Sequence, residues 1–92
     1  MKRINVNVMG MELERWEHES CSAEFGVGED EEGKWATLYS ISSKEEGQGH
    51  ATELLKAAKT TYESLGMRFG GSVALNDRMR SIYQRLGITE YK

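Results

Sequence analysis

The chain contains no proline, where average usage of about 5% would supply four or five. Its turns must therefore be built from Gly, Asn, Asp or Ser, and ten glycines are present to do so. A single cysteine, Cys21, excludes an internal disulfide and points to a reducing compartment. It reads as a small buried hydrophobe. No apolar run approaches the roughly 18 residues of a membrane span. The opening Met1-Lys2-Arg3-Ile4-Asn5-Val6 has no stretch apolar enough for a signal peptide. These absences predict a cytoplasmic protein with no membrane contact. His18, His50 and Cys21 lack metal-ligand spacing, so no metal is expected.

What is present is one domain's worth of chain. The 92 residues are 38% apolar and 29% charged, enough for a single small domain over 1–92 with a modest core. The net charge of −3 argues against direct nucleic-acid binding. It also hides a split. Residues 1–53 hold twelve acids against five bases, and residues 54–92 hold three acids against seven bases. Nine acids lie between Glu12 and Glu32, with Arg15 the only base among them. That segment is either a solvated acidic face or a field that attracts a cationic partner. By the same physics the basic half suits an anionic ligand.

Periodicity orders the elements. Ile4, Val6 and Val8 alternate with Asn5 and Asn7 as in a half-buried strand that Gly10 ends. Met11–Glu19 is ambiguous: Met9, Leu13 and Trp16 have helical spacing, yet a twisted strand fits too. Ser20–Val27 reads as a strand with Cys21, Ala23, Phe25 and Val27 on one face. Gly28–Gly33 reads as an acidic turn, and Trp35–Ser42 as the returning strand, with Trp35, Thr37, Tyr39 and Ile41 alternating. Ser43–Gly49 is a loop. Ala51–Leu65 is the clearest helix, with Leu54, Leu55, Ala58, Tyr62 and Leu65 in one stripe and Gly66 as its stop. Arg68–Leu75 is a strand in which Gly70-Gly71 marks a bulge or a close backbone approach. Asn76 suits the N-cap of a second helix reaching Leu86, with Met79, Ile82 and Leu86 inward. Ile88–Tyr91 is a short last strand. The fold class is α/β: a mixed, mostly antiparallel sheet with two main helices.

The stretch Lys44-Glu45-Glu46-Gly47-Gln48-Gly49-His50-Ala51-Thr52 joins a strand to a helix start. Such a start presents free N–H groups and a positive dipole end, which suits a diphosphate. Glu46-Gly47-Gln48-Gly49-His50-Ala51 followed by Leu54-Leu55, and then Asn76, Tyr83 and Leu86-Gly87-Ile88, resemble the two motifs of the GNAT superfamily of acyl-CoA-dependent N-acetyltransferases. The resemblance covers residues 34–91, and the first 33 match only as generic strands. It implies a GNAT-like fold, acetyl-CoA as cosubstrate and an amine as acceptor. Ile41 and Ser42 would then pair with the pantetheine arm. The N–H groups of Gly47, Gln48, Gly49, His50 and Ala51 would hold the pyrophosphate. Asn76 would bond the pantetheine or a water, or simply cap the helix. Tyr83 would protonate the leaving thiolate, or is a core aromatic with a satisfied hydroxyl.

Two departures bear on that implication. Glu46 stands where the family has Gln or Arg, and a carboxylate repels a pyrophosphate by about 1 kcal/mol at a few ångströms in water. The chain is also short for the family, with residues 9–19 the sole candidate remnant of the N-terminal helical segment over the acceptor site. An open site suits a large acceptor, so a basic protein or small amine is expected as partner. An amine acceptor needs a base, for which Glu24 is the first candidate, ahead of His18 and Tyr39. Two functions follow: acetyl transfer to an amine, or a GNAT-fold interaction protein whose acidic half blocks a basic or nucleic-acid-binding partner. A homodimer is an open alternative to a monomer.

Overall fold

The computed structural model describes residues 1–44, 49–72 and 77–90, with Val8 and Met11 described by their backbone alone. In chain order the elements are β1 (Lys2–Val8), β2 (Met11–His18), β3 (Cys21–Asp30), β4 (Gly33–Ser43), α1 (His50–Ser64), β5 (Arg68–Gly71), α2 (Asp77–Leu86) and β6 (Thr89–Glu90). The strands form one sheet in sequential order. β1 to β4 are an antiparallel meander, while β4–β5 and β5–β6 are parallel pairs bridged by the helices. This is the expected α/β class, a mostly antiparallel sheet with two helices.

All three hairpins close with two-residue loops, which suit the twist of antiparallel strands. Met9 and Gly10 close the first, both at positive φ (52° and 84°), and the Gly10 N–H donates to Asn7 Oδ1 at 3.1 Å. Glu19-Ser20 close the second, with Glu19 at φ 55°. Glu31-Glu32 close the third, where the Glu32 N–H donates to Asp30 Oδ1 at 2.9 Å. The expected acidic turn over 28–33 is thus shorter than the sequence suggested. Gly28, Glu29 and Asp30 pair with Trp35, Lys34 and Gly33. Residues 11–18 are a strand rather than a helix remnant. The turn at Met9-Gly10 delivers them directly against β1, and β3 pairs their other edge.

Strand parity divides the sheet into two faces. Trp16 of β2, Cys21, Ala23 and Phe25 of β3, Ala36 and Leu38 of β4 and Phe69 of β5 point to one side, where Leu54, Leu55, Ala58 and Tyr62 of α1 close over them. Burying Leu54 and Leu55 fully contributes about 1.5–3 kcal/mol each. Phe25 sits at the centre, its ring 5.6–6.2 Å from those of Trp16, Tyr62 and Phe69. Leu65, expected in the α1 stripe, is the exposed cap residue instead. In α2 the buried pair is Ile82 and Tyr83, with Met79 and Leu86 only partly buried. Tyr83 packs on Gly71, whose missing side chain makes room for the ring, so α2 lies on the same face as α1.

The opposite face carries Ile4 and Val6 of β1, Leu13 and Arg15 of β2, Glu24, Gly26 and Gly28 of β3, and Trp35, Thr37 and Tyr39 of β4. The sequence alternation of Trp35, Thr37, Tyr39 and Ile41 does not hold on one face. Tyr39 is an extra residue in β4, because Phe25 pairs with Leu38 and Glu24 with Ser40. This bulge leaves Tyr39 outside and turns Ile41 inward to pack against the core. The Tyr39 ring lies over Gly26 and the Trp35 ring over Gly28.

Candidate functional site

The seam between β4 and β5 sets the site. Their parallel pairing runs from Trp35↔Arg68 to Leu38↔Gly71, and the Ser72 N–H then donates to the Leu38 carbonyl at 3.0 Å. β4 continues to Ser43, paired with β3 alone among the described residues. Ile41 and Ser42, expected to meet an extended pantetheine arm, lie on this continuation. Ser42 Oγ is 3.3 Å from Ser22 Oγ.

α1 begins where β4 ends. Gly49 takes a left-handed conformation (φ 77°, ψ 3°) at the N-cap and supplies no side-chain cap, and the Glu53 N–H donates to its carbonyl at 3.0 Å. Among the described residues no side chain caps the first turn's N–H groups, and Glu53 is the one acidic residue in that turn, near the positive end of the helix dipole. Gly49, Ala51 and Thr52 line a cleft of about 290 Å³ with Arg78, Ser81, Ile82 and Arg85 of α2. Arg78 and Arg85 are seven residues apart on α2, two helical turns, so both reach the same cleft. Two guanidiniums and a helix N-terminus favour an anion, and a diphosphate matches the backbone donors.

Several predicted residues gather here. Gly49 and Ala51 line the cleft, and His50 is the first residue of α1. Gly47, Gln48 and Asn76, together with Glu46, lie outside the described residues. Arg78 and Arg85 were not singled out from the sequence. Their signal was the basic balance of the second half and the seven-residue spacing of two arginines on a helix.

Tyr83 is buried on Gly71, and its hydroxyl donates to the Ser72 carbonyl at 3.0 Å. Burial pushes its pKa up, the Glu90 carboxylate adds to this, and the Ser72 contact opposes it. The phenol is therefore fully protonated near neutral pH. Glu24 lies on the other side of the sheet. Its carboxylate meets Arg15 at 3.6 Å and accepts from Ser40 Oγ at 3.3 Å. The structure does not bring Glu24 and Tyr83 together, because their side chains project from opposite faces. Tyr39 is also on Glu24's face.

His18 is on the helix face, in the row His18–Cys21–Ser43 at the sheet end nearest the α1 start. Its Nε2 is 3.3 Å from Glu53 Oε2, and its ring stands edge-on to that of His50 at 5.5 Å. The buried Ser20 Oγ and His50 Nδ1 at this end have no hydrogen-bond partner among the described residues. Cys21 is buried as expected. Burial raises its thiol pKa, and the positive charge of Arg78 opposes the rise. Among the described residues no three His, Cys, Asp or Glu side chains are placed to hold a metal, and no helix is long and apolar enough to cross a membrane. Comparison of the chain with protein-family models, with curated proteins and with solved structures finds no match.

Proposed function

We propose that the protein is an N-acetyltransferase that moves an acetyl group from acetyl-CoA to an amine on a protein or other basic acceptor. The observation that carries the reading is the N-terminus of α1, which has no side-chain cap among the described residues and opens at left-handed Gly49 onto a cleft flanked by Arg78 and Arg85. The cleft is lined from the start of α1 and from α2, and β4 runs on to Ser43 past its parallel pairing with β5. The N–H groups of Gly49, His50 and Ala51 and the two arginines would hold the pyrophosphate, with Ile41 and Ser42 beside the arm.

The chemistry then asks little of the chain beyond orientation and proton transfer. An ammonium acceptor first loses a proton. Its nitrogen lone pair attacks the thioester carbonyl carbon, the C–S bond breaks, and the thiolate takes a proton from the Tyr83 hydroxyl, which solvent restores. His18, bonded to Glu53 on the helix face, would serve as the base, because Glu24 is separated from Tyr83 by the sheet. A second reading, a binding protein of the same shape that blocks a basic or nucleic-acid-binding partner, is favoured by the Tyr83 hydroxyl already being engaged by Ser72.

Thermal unfolding with acetyl-CoA separates the two. A ligand at about 100 times its Kd stabilises by about 2.7 kcal/mol, which in a domain of this size raises Tm by about 4–8 °C per kcal/mol. The Arg78→Glu/Arg85→Glu double variant should lose most of that shift. Tyr83→Phe should keep the shift and lower turnover on lysine peptides, and His18→Gln should keep the shift and lower turnover. No shift at roughly millimolar acetyl-CoA would sink the enzyme reading.

A further inference from the structure

The sheet face turned away from the helices has no described element over it, and it combines three properties. It is apolar at its centre, where Ile4, Val6 and Trp35 are half-buried, Leu13 is nearly buried and Tyr39 is 48% exposed. It is flat, because Gly26 and Gly28 let the Tyr39 and Trp35 rings lie down on the backbone of β3. It is electrically neutral although the chain carries −3. Arg15 is 3.6 Å from Glu24, Arg68 is 2.6 Å from Asp30, and Lys2 stands opposite Glu17 in the ladder.

The register makes the face complementary to itself. One row across the meander reads Val6–Leu13–Gly26–Thr37, and the next reads Ile4–Arg15–Glu24–Ser40. Consider a two-fold axis parallel to the strands and lying between two such sheets. It exchanges β1 with β4 and β2 with β3 while keeping each row at its own height. Val6 then faces Thr37 of the second copy, and Leu13 faces the Tyr39 ring over Gly26. Arg15 faces Glu24, and Glu24 faces Arg15. Bulky aliphatic positions meet small or flat ones, and each charge meets its opposite. An axis perpendicular to the strands would lay each strand over its own copy, so that Arg15 would face β2 of the second copy rather than Glu24 of its β3. We propose that this face is a homodimer interface in which two sheets pack face to face about an axis parallel to their strands.

The dimensions set the strength. Four strands about 4.8 Å apart and seven residues at about 3.3 Å each give a projected area of roughly 440 Å². Side-chain relief raises the accessible area above that, towards the lower end of specific interfaces, which bury about 800 Å² per partner. The dimer is therefore concentration-dependent. It leaves the α1–α2 cleft open on the outside of both copies, so it stands independently of the acetyltransferase reading.

Sedimentation equilibrium over a concentration series tests it. The wild-type chain should approach twice its 10.4 kDa mass as concentration rises. Thr37→Arg and Tyr39→Glu, at positions that are solvent-accessible in the single chain, should each raise the dissociation constant by at least roughly tenfold with unchanged circular dichroism. Arg15→Glu should dissociate the dimer, and Arg15→Glu/Glu24→Arg should restore it. Lys56→Glu, on the exposed side of α1, should change nothing. A wild-type chain that stays monomeric up to about millimolar concentration overturns the proposal and leaves the face to a different partner. A dimer indifferent to Thr37→Arg and Tyr39→Glu overturns it equally, by placing the contact elsewhere.

Discussion

Tyr62 shows how one residue joins three parts of the molecule. Its hydroxyl accepts from the Trp16 indole N–H at 3.0 Å and donates to Glu14 Oε1 at 2.7 Å. Arg3 closes the set, donating to the same Glu14 oxygen at 2.6 Å with its guanidinium 4.8 Å above the Trp16 ring. Burial by itself would raise the Glu14 pKa, but bonds from Tyr62 and Arg3 and the Arg3 charge outweigh it and hold the carboxyl below its usual 4.5. A folded-state value below the unfolded one means that the stabilisation is fully present above pH 4.5. It is lost as pH falls through the lower folded value. Tyr62→Phe should cost about 1–3 kcal/mol by stranding the Trp16 donor and should weaken this acid dependence, as read from urea unfolding at pH 3 to 7. The sequence showed Tyr62 as one member of an apolar stripe. Its polar role was not legible, because Glu14 and Trp16 lie more than forty residues away and only the α1–β2 packing brings them into reach.

Turns and helix ends were the legible parts of the elements, since their glycines mark backbone conformations other residues resist. Gly66 (φ 78°) and Gly87 (φ 70°) end the two helices in the same way. In each case the residue after the glycine donates back to the helix, Met67 to the Tyr62 carbonyl at 3.1 Å and Ile88 to the Tyr83 carbonyl at 2.9 Å. The β2 strand was harder to read. Leu13 faces outward and Trp16 inward, so their three-residue spacing imitated a helix while serving two faces of a sheet. The first hairpin retains a local misfit: Met9 holds φ 52° with its side chain 99% exposed. Met9→Asn would create the Asn-Gly pair that this turn type prefers. It should stabilise the chain by about 0.5–1 kcal/mol, measured as a higher urea midpoint with an unchanged slope.

The whole molecule is a four-stranded meander joined along one parallel seam to a helix-rich half, and the charge split follows that division. Arg68 at the start of β5 binds Asp30 at 2.6 Å and Glu32 at 3.1 Å, so the acidic hairpin tip is held by the basic half of the same chain. This draws the tip away from the role of lure for a cationic partner. The candidate cleft, by contrast, lies where burial is thinnest, since α2 buries only Ile82 and Tyr83. Hydrogen exchange should find the slowest amides in β3, the first half of β4 and the middle of α1, and faster ones in α2 and β6. Acetyl-CoA should slow exchange at the α1 start and along α2 while leaving β1 unchanged. Uniform protection of the sheet would contradict that placement. Sequence reading reached Gly49 of the cleft but not its arginines, because it located both helices without the packing that turns Arg78 and Arg85 of the second towards the start of the first.

The extra residue at Tyr39 reverses the parity of β4. Before it, even-numbered side chains, Ala36 and Leu38, enter the core; after it, odd-numbered Ile41 does. A single strand thus keeps one inner surface along its length while changing which residues count as inner. Loss of Tyr39 would leave a regular ladder, with Leu38 still opposite Phe25, Ser40 opposite Glu24 and Ile41 opposite Ala23, so Ile41 would stay inward. The inner surface therefore does not depend on the inserted residue, and what the insertion adds is an aromatic ring laid over Gly26 on the outer face.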